Sequence, residues 1–174
     1  DGSLHHKVKK KGDYLADTST IRIPSVLIAL TGVNAVFSYP ASYTVDEASG
    51  EYHIHYRDFP ELNSVTYSLE DVELEAQEGI KNGIATEMEE RRLIPAPSAL
   101  QPGDIAVHVP ILVRLKAELH NAMLASDTRK ADMARKLSLN AAQMDRLLDV
   151  YYASKVEALE QALYLLGFEA DVSV

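Results

Sequence analysis

The sequence predicts an α+β fold in two parts, a small sheet with one helix packed on it, followed by an all-helical end. Three observations carry this. Two strand-like runs, 37–45 and Tyr52-His53-Ile54-His55-Tyr56, flank a turn; apolar residues recur every fourth position from Val72 to Met88; and beyond Pro110 the apolar spacing is helical throughout. With 174 residues, 47% of them hydrophobic and 25% charged, the composition is that of a packed chain of one or two domains and excludes wholesale disorder.

Near the start, 7–11 reads as a basic, hairpin-like stretch turning at Gly12 and Asp13, and Ile21-Arg22-Ile23 alternates as a strand before Pro24. The firmer hairpin follows, with 46–50 as its turn. Pro40 places its first strand at a sheet edge or a bulge, because proline has no N–H to give the ladder. A third short strand is expected over 65–67, after the kink at Asp58-Phe59-Pro60. Ser68 then stands as an N-cap with Glu70 and Asp71 in the first turn, so a helix is predicted from Leu69. Its buried stripe is Val72, Ala76, Ile80, Ile84 and Met88. Gly79 and Gly83 each weaken that helix by up to about 1 kcal/mol relative to alanine, so it depends on a close neighbour. Pro95, Pro97 and Ser98 make a stiff connection, and Ile105, Val107 and Val109 alternate as a fourth strand.

After Pro110 a helix carrying Ile111, Leu115, Leu119 and Met123 runs to Ser126. Shorter helices are predicted over 130–137, 141–149 and 155–166, the last ended by Gly167, with a short strand over 168–174. The natural division is 1–32, 33–110 and 111–174.

Charge follows that division. The whole chain carries −9, but 1–32 holds five basic against three acidic side chains, net +2. Segment 33–110 holds four against fourteen, net −10, and 111–174 eight against nine, net −1. Such segregation suits different partners for each segment, although an acidic stretch also serves simply as a solvated surface. The absence of cysteine removes disulfides and thiol nucleophiles and fits a reducing compartment, so a cytoplasmic location is expected. No apolar run approaches the ~20 residues of a membrane span. The chain begins at Asp1 without a signal-peptide layout, which suggests that it starts inside a larger unit.

The pair of short helices around Ser138-Leu139-Asn140 is a helix-turn-helix candidate. Met133, Leu137, Leu139, Met144 and Leu147 fall where the helices must touch, and small Ala134 where they cross. Ser138 occupies the turn position that glycine usually takes. Asn140, Gln143 and Arg146 are placed to reach base edges, and Lys130, Arg135, Lys136 and Lys155 to hold phosphates. Asp145 and Asp149 oppose DNA, so useful affinity requires two copies acting together. A plain helical bundle is the alternative.

In their order and spacing, the hairpin, Phe59-Pro60-Glu61-Leu62, the run "SLEDVELEAQEGI" from Ser68, "LIPAPSAL" from Leu93 and the helical end "KADMARKLSLNAAQMDRLLD" from Lys130 resemble the HicB antitoxins of bacterial HicAB toxin-antitoxin systems. The likeness spans 37–174. It implies a partial ribonuclease-H-like sheet without nuclease activity that covers a HicA-type mRNA-cleaving toxin. It also implies a C-terminal domain that binds operator DNA as a homodimer or dimer of dimers and represses its own operon. The net −10 segment independently suits a basic ribonuclease, since opposite charge speeds and orients docking. The start, 1–24, resembles a strand region of the HicA toxin, with Gly2-Ser3-Leu4-His5 in the place of its catalytic Gly-Ser-x-His pattern. The preceding helix of such a toxin is absent, so 1–32 reads as an inactive remnant, a cloning-derived sequence or a fragment completed by another chain.

Other residues read as ordinary. His53 and His55 share a strand face without a third ligand nearby, His108 and His120 stand alone, and Glu87, Glu89 and Glu90 point around a helix instead of toward one metal. Tyr151 and Tyr152 suit core or dimer contacts better than base stacking. The leading expectation is a non-enzymatic antitoxin with no cofactor and no metal. A toxin-antitoxin fusion that still cleaves RNA through His5, and a repressor whose α+β domain senses a small ligand, are the alternatives.

Overall fold

The computed structural model describes residues 38–168, which form two compact units, 38–113 and 114–168. In the first unit, β1 (Ser38–Asp46), β2 (Glu51–Tyr56), β3 (Asn63–Thr66) and β4 (Ile105–His108) make one sheet in the order β3-β2-β1-β4, every neighbouring pair antiparallel. The β1–β2 turn is closed by Asp46, whose Oδ1 accepts the Ala48 N–H at 2.9 Å, and by Gly50 at φ 75°. Only a residue without Cβ enters that region cheaply.

Registers Ala41↔Tyr56 and Tyr43↔Ile54 line up Tyr39, Ala41, Ile54 and Tyr56 with Val107 on one face, and all five are buried. Helix α1 (Val72–Glu89) covers this face with Val72, Ala76, Ile80 and Ile84, the stripe read from the sequence; Met88 is half-buried. The N-cap also stands where expected: the Ser68 side chain accepts from the Glu70 N–H, opening a 3₁₀ turn, Leu69–Asp71, from which α1 continues.

Two expectations need correction. β1 is an interior strand, not an edge. Its proline is tolerated because the β1–β2 register begins at Ala41↔Tyr56, so β2 places no residue opposite Pro40, which pairs only with Ala106 of β4. The third strand is Asn63–Thr66, paired to β2 through His55↔Asn63 and Tyr52↔Thr66, and Tyr67 lies beyond it at 72% exposure.

Helix α2 (Ile111–Ala125) leads into the second unit. Leu115, Leu119 and Met123 are buried as expected, whereas Ile111, at the exposed first position, is outside the stripe. Val113, Lys116, Ala117 and Ala122 are buried as well, so α2 is enclosed nearly all round. Helices α3 (Lys130–Leu137) and α4 (Ala141–Leu148) pack together through Met133, Ala134, Met144 and Leu147. Helix α5 (Val156–Leu165) packs on α3, buries Leu159, Ala162 and Leu163, and ends near Gly167 at φ 85°. Residues 1–37 and 169–174 lie outside the described residues, and with them His5, the expected strands at 7–11 and 21–23, and most of the one at 168–174.

Candidate functional site

In the sheet unit the chemistry is carboxylate. Of its basic side chains, three are spent internally: Arg57 pairs with Asp104 at 2.7 Å, Lys81 with Glu78 at 3.2 Å and Arg92 with Glu87 at 3.0 Å. Asp104 also accepts the Gln101 N–H, and that bond, followed by the Arg57 guanidinium, holds its carboxyl below the ordinary aspartate value. Exposed carboxylates remain along α1 and its approach, among them Glu61, Glu70, Asp71, Glu73, Glu75 and Glu89. Helical periodicity explains their placement, because the apolar stripe takes one face of α1 and leaves acids on the others. A cleft of about 660 Å³ opens beside the C-terminal half of α1, with Phe59, Leu62 and Leu93 as apolar walls and Asp58, Glu61 and Glu87 as acidic ones.

The face of the sheet opposite α1 carries His53 and His55, as their two-residue spacing required. His53 pairs with Glu51 at 3.0 Å, and His55 Nε2 lies 3.3 Å from Thr44 Oγ1. Among the described residues, no three His, Cys, Asp or Glu side chains converge as a metal site.

The helical unit carries the candidate nucleic-acid residues on α3, α4 and the segments beside them. Ser138 adopts φ 56° and ψ 41°, the left-handed conformation that glycine usually supplies in such a turn. Asn140 caps α4: its side chain accepts the Gln143 N–H at 2.8 Å while Gln143 Oε1 accepts the Asn140 N–H at 2.9 Å. Both amide oxygens are therefore occupied, which leaves their NH₂ groups as the outward chemistry. Lys130 reaches Asp145 at 3.1 Å, joining α3 to α4, and Arg135 pairs with Asp132. Arg146 lies with its guanidinium carbon 5.7 Å from the centre of the Tyr152 ring. Lys136 and Lys155 are exposed.

Sequence reading missed Lys116. It is fully buried, yet its Nζ donates to the carbonyls of Arg146 (3.1 Å), Asp149 (2.5 Å) and Tyr152 (2.7 Å) and to Ser154 Oγ (2.9 Å). A cation at the C-terminal end of α4 satisfies carbonyls that the helix leaves open. Burial pushes its pKa below the ordinary lysine value, an effect that the nearby Asp149 charge opposes. The available signal was a lysine flanked by Leu115 and Ala117 inside an apolar helix. Tyr152, which suits a core or dimer contact by sequence, is not in the core: it is exposed, with its ring beside two cations.

The described residues thus form an acidic sheet-and-helix unit followed by a compact helical unit, an α+β chain in two parts. Residues 38–118 match the family described as the HicB_like antitoxin of bacterial toxin-antitoxin system. The chain is 32% identical over 142 residues to an Antitoxin HicB of Pseudomonas fluorescens (strain Pf0-1), which covers 81% of this chain and 96% of that protein. It is 30% identical over 131 residues to an Antitoxin HicB of Escherichia coli (strain K12), covering 75% and 94%. With Antitoxin HicB 2 of Photorhabdus laumondii it shares 29% over 129 residues, 74% of this chain and 90% of the other. The chain belongs to the HicB-like antitoxins. A toxin partner follows from that membership, and no described helix is long and apolar enough to cross a membrane.

Proposed function

We propose that this chain neutralises a HicA-type ribonuclease through its sheet unit and represses its own operon through α3 and α4, acting as a homodimer or dimer of dimers without cofactor or catalysis. The sheet unit is read as a partial ribonuclease-H-like layer that has become a binding surface. The observation that carries this reading is the pairing of Arg57, Lys81 and Arg92 with Asp104, Glu78 and Glu87, which leaves Glu70, Asp71, Glu73, Glu75 and Glu89 exposed without an ion pair among the described residues. A cationic partner docks on such a surface quickly and in a preferred orientation, and less well as salt rises.

The helical reading rests on the left-handed Ser138 turn, on Met133, Met144 and Leu147 packed between α3 and α4, and on Arg146, Lys136 and Lys155 at the surface. Neither the ribonuclease reading of His5 nor the ligand-sensor reading has a specific observation in its favour.

Pull-down from the native host tests the first half: a small basic ribonuclease should be recovered, and reversing Glu73 and Glu89 to lysine should weaken its capture. Recovery of no such protein overturns the reading. For the second half, Arg146→Ala should weaken operator binding and leave ribonuclease inhibition intact. Loss of both together would show that the two activities share one surface.

A further inference from the structure

We infer that Tyr152 is a positioning residue for base readout, its ring fixing the guanidinium of Arg146 on the face that α4 offers to DNA; this rests on the operator-binding reading above. Arg146 stands on the last turn of α4, exposed, and among the described residues no carboxylate lies within ion-pair distance of it. A free arginine there would sample many rotamers and lose that freedom on binding. The Tyr152 ring, 5.7 Å from the guanidinium carbon, supplies a face on which the plane can rest with its five N–H donors still available.

The backbone that carries the ring is itself held. Tyr152 lies in the connection between α4 and α5, and its N–H donates to the Asp149 carbonyl at 3.1 Å while its carbonyl accepts from Lys116 Nζ at 2.7 Å. Lys116 also takes the carbonyls of Arg146 and Asp149, so one buried ammonium ties the end of α4 to the connection that carries the ring. Its Nζ lies 5.8 Å from the centre of the same ring. Tyr152 thus has two cations near its ring, a buried one that fixes its backbone and an exposed one that it aligns.

An aligned guanidinium fork matches the paired acceptors N7 and O6 of guanine, whereas a phosphate is served as well by the flexible Lys136 and Lys155. The inference is therefore that Arg146 reads a guanine and that Tyr152 sharpens the reading.

The test uses the full chain and duplexes that the wild type selects from a randomised library. Tyr152→Leu should lower affinity for the selected duplex about three- to fivefold and flatten preference at the same base position that Arg146→Ala flattens. The slope of affinity against salt should not change. Tyr152→Phe, which keeps the ring, should stay within about twofold. In an Arg146→Ala background, Tyr152→Leu should cost nothing further. In the free chain, nitrogen relaxation of Arg146 Nε should report an ordered side chain in wild type and Tyr152→Phe and a mobile one in Tyr152→Leu. The inference is overturned by a loss that persists in the Arg146→Ala background, by a salt slope that falls by about one phosphate contact, or by unchanged Arg146 mobility. A wild type that selects no duplex, with Arg146 ordered, overturns the operator reading and not the Tyr152–Arg146 coupling.

Discussion

The hydroxyl oxygen of Tyr56 stands 2.0 Å from the point where Gly79 would carry a Cβ. Tyr56 is pinned there, its Oη 2.8 Å from Ser64 Oγ and 3.4 Å from the Glu75 carbonyl, so the ring has little room to yield. Gly79 is the reason α1 can lie this close to the sheet. Alanine at 79 would gain about 1 kcal/mol of helix propensity and lose more to overpacking, typically 1–3 kcal/mol. Gly79→Ala should therefore destabilise the chain by up to about 2 kcal/mol in urea unfolding. At Gly83 the corresponding approach is 2.9 Å to the edge of Phe59, so Gly83→Ala should cost distinctly less. Equal costs at the two positions would show that the separation of α1 from the sheet is not set at Gly79.

Ser138 makes the opposite prediction. Its φ of 56° is unfavourable for a residue with a Cβ, and the position accepts glycine without a new contact being needed. Ser138→Gly should raise stability by up to about 1 kcal/mol, the relief of strain being partly offset by the greater freedom of glycine in the unfolded chain. Thermal unfolding measures this directly. A fall in stability would mean that the serine side chain contributes more than its backbone costs.

Much of the architecture was legible because local chemistry and burial agree. The spacing of Val72, Ala76, Ile80 and Ile84 marks the buried face of α1, and the Asp46–Gly50 turn marks the hairpin. Pro40 misled because an interior strand can still be open on one side at a given residue, as β1 is on its β2 side at Pro40, and strand ends are set by register, which no local rule contains. At the candidate nucleic-acid surface, residue types were legible but their engagements were not. Asn140 and Gln143 close on each other, and Lys130 and Arg135 close on Asp145 and Asp132. Lys116 and Tyr152 could not be found by spacing, because what joins them to Arg146 is a set of backbone carbonyls brought together by the fold.

The mutual cap of Asn140 and Gln143 changes how these residues should be tested. Asn140→Ala removes an acceptor from the start of α4 and should cost about 1 kcal/mol of stability whether or not the residue touches DNA. Asn140→Asp and Gln143→Glu keep the capping oxygens and put acidic groups at the positive end of the helix, so both should unfold within about 0.5 kcal/mol of wild type. Each nevertheless removes an outward NH₂ and adds negative charge. Under the operator-binding reading both should weaken duplex binding at least about tenfold. Gel-shift titration beside thermal melting separates the two effects; unchanged affinity in both variants would remove these residues from the DNA surface.

Lys116 ties stability to pH. Its pKa is lowered by burial, so over the interval between that lowered value and the ordinary lysine range the folded chain binds fewer protons than the unfolded one. Stability then rises with pH across that interval, because unfolding must take up a proton that becomes scarcer as pH rises. Tyr39 and Tyr56, whose pKa values burial raises, act in the opposite direction at higher pH, so the lysine contribution is read by difference. Lys116→Met keeps an unbranched side chain of similar length but leaves the carbonyls of Arg146, Asp149 and Tyr152 without their donor. That should cost about 2–4 kcal/mol near neutral pH. The gap between wild type and variant in urea unfolding should widen as pH rises toward the ordinary lysine range, about pH 10, since only the wild type gains. A gap that stays constant would mean that the Lys116 proton is bound equally well in the folded and unfolded chains, and that its carbonyl partners make good the whole desolvation of the ammonium.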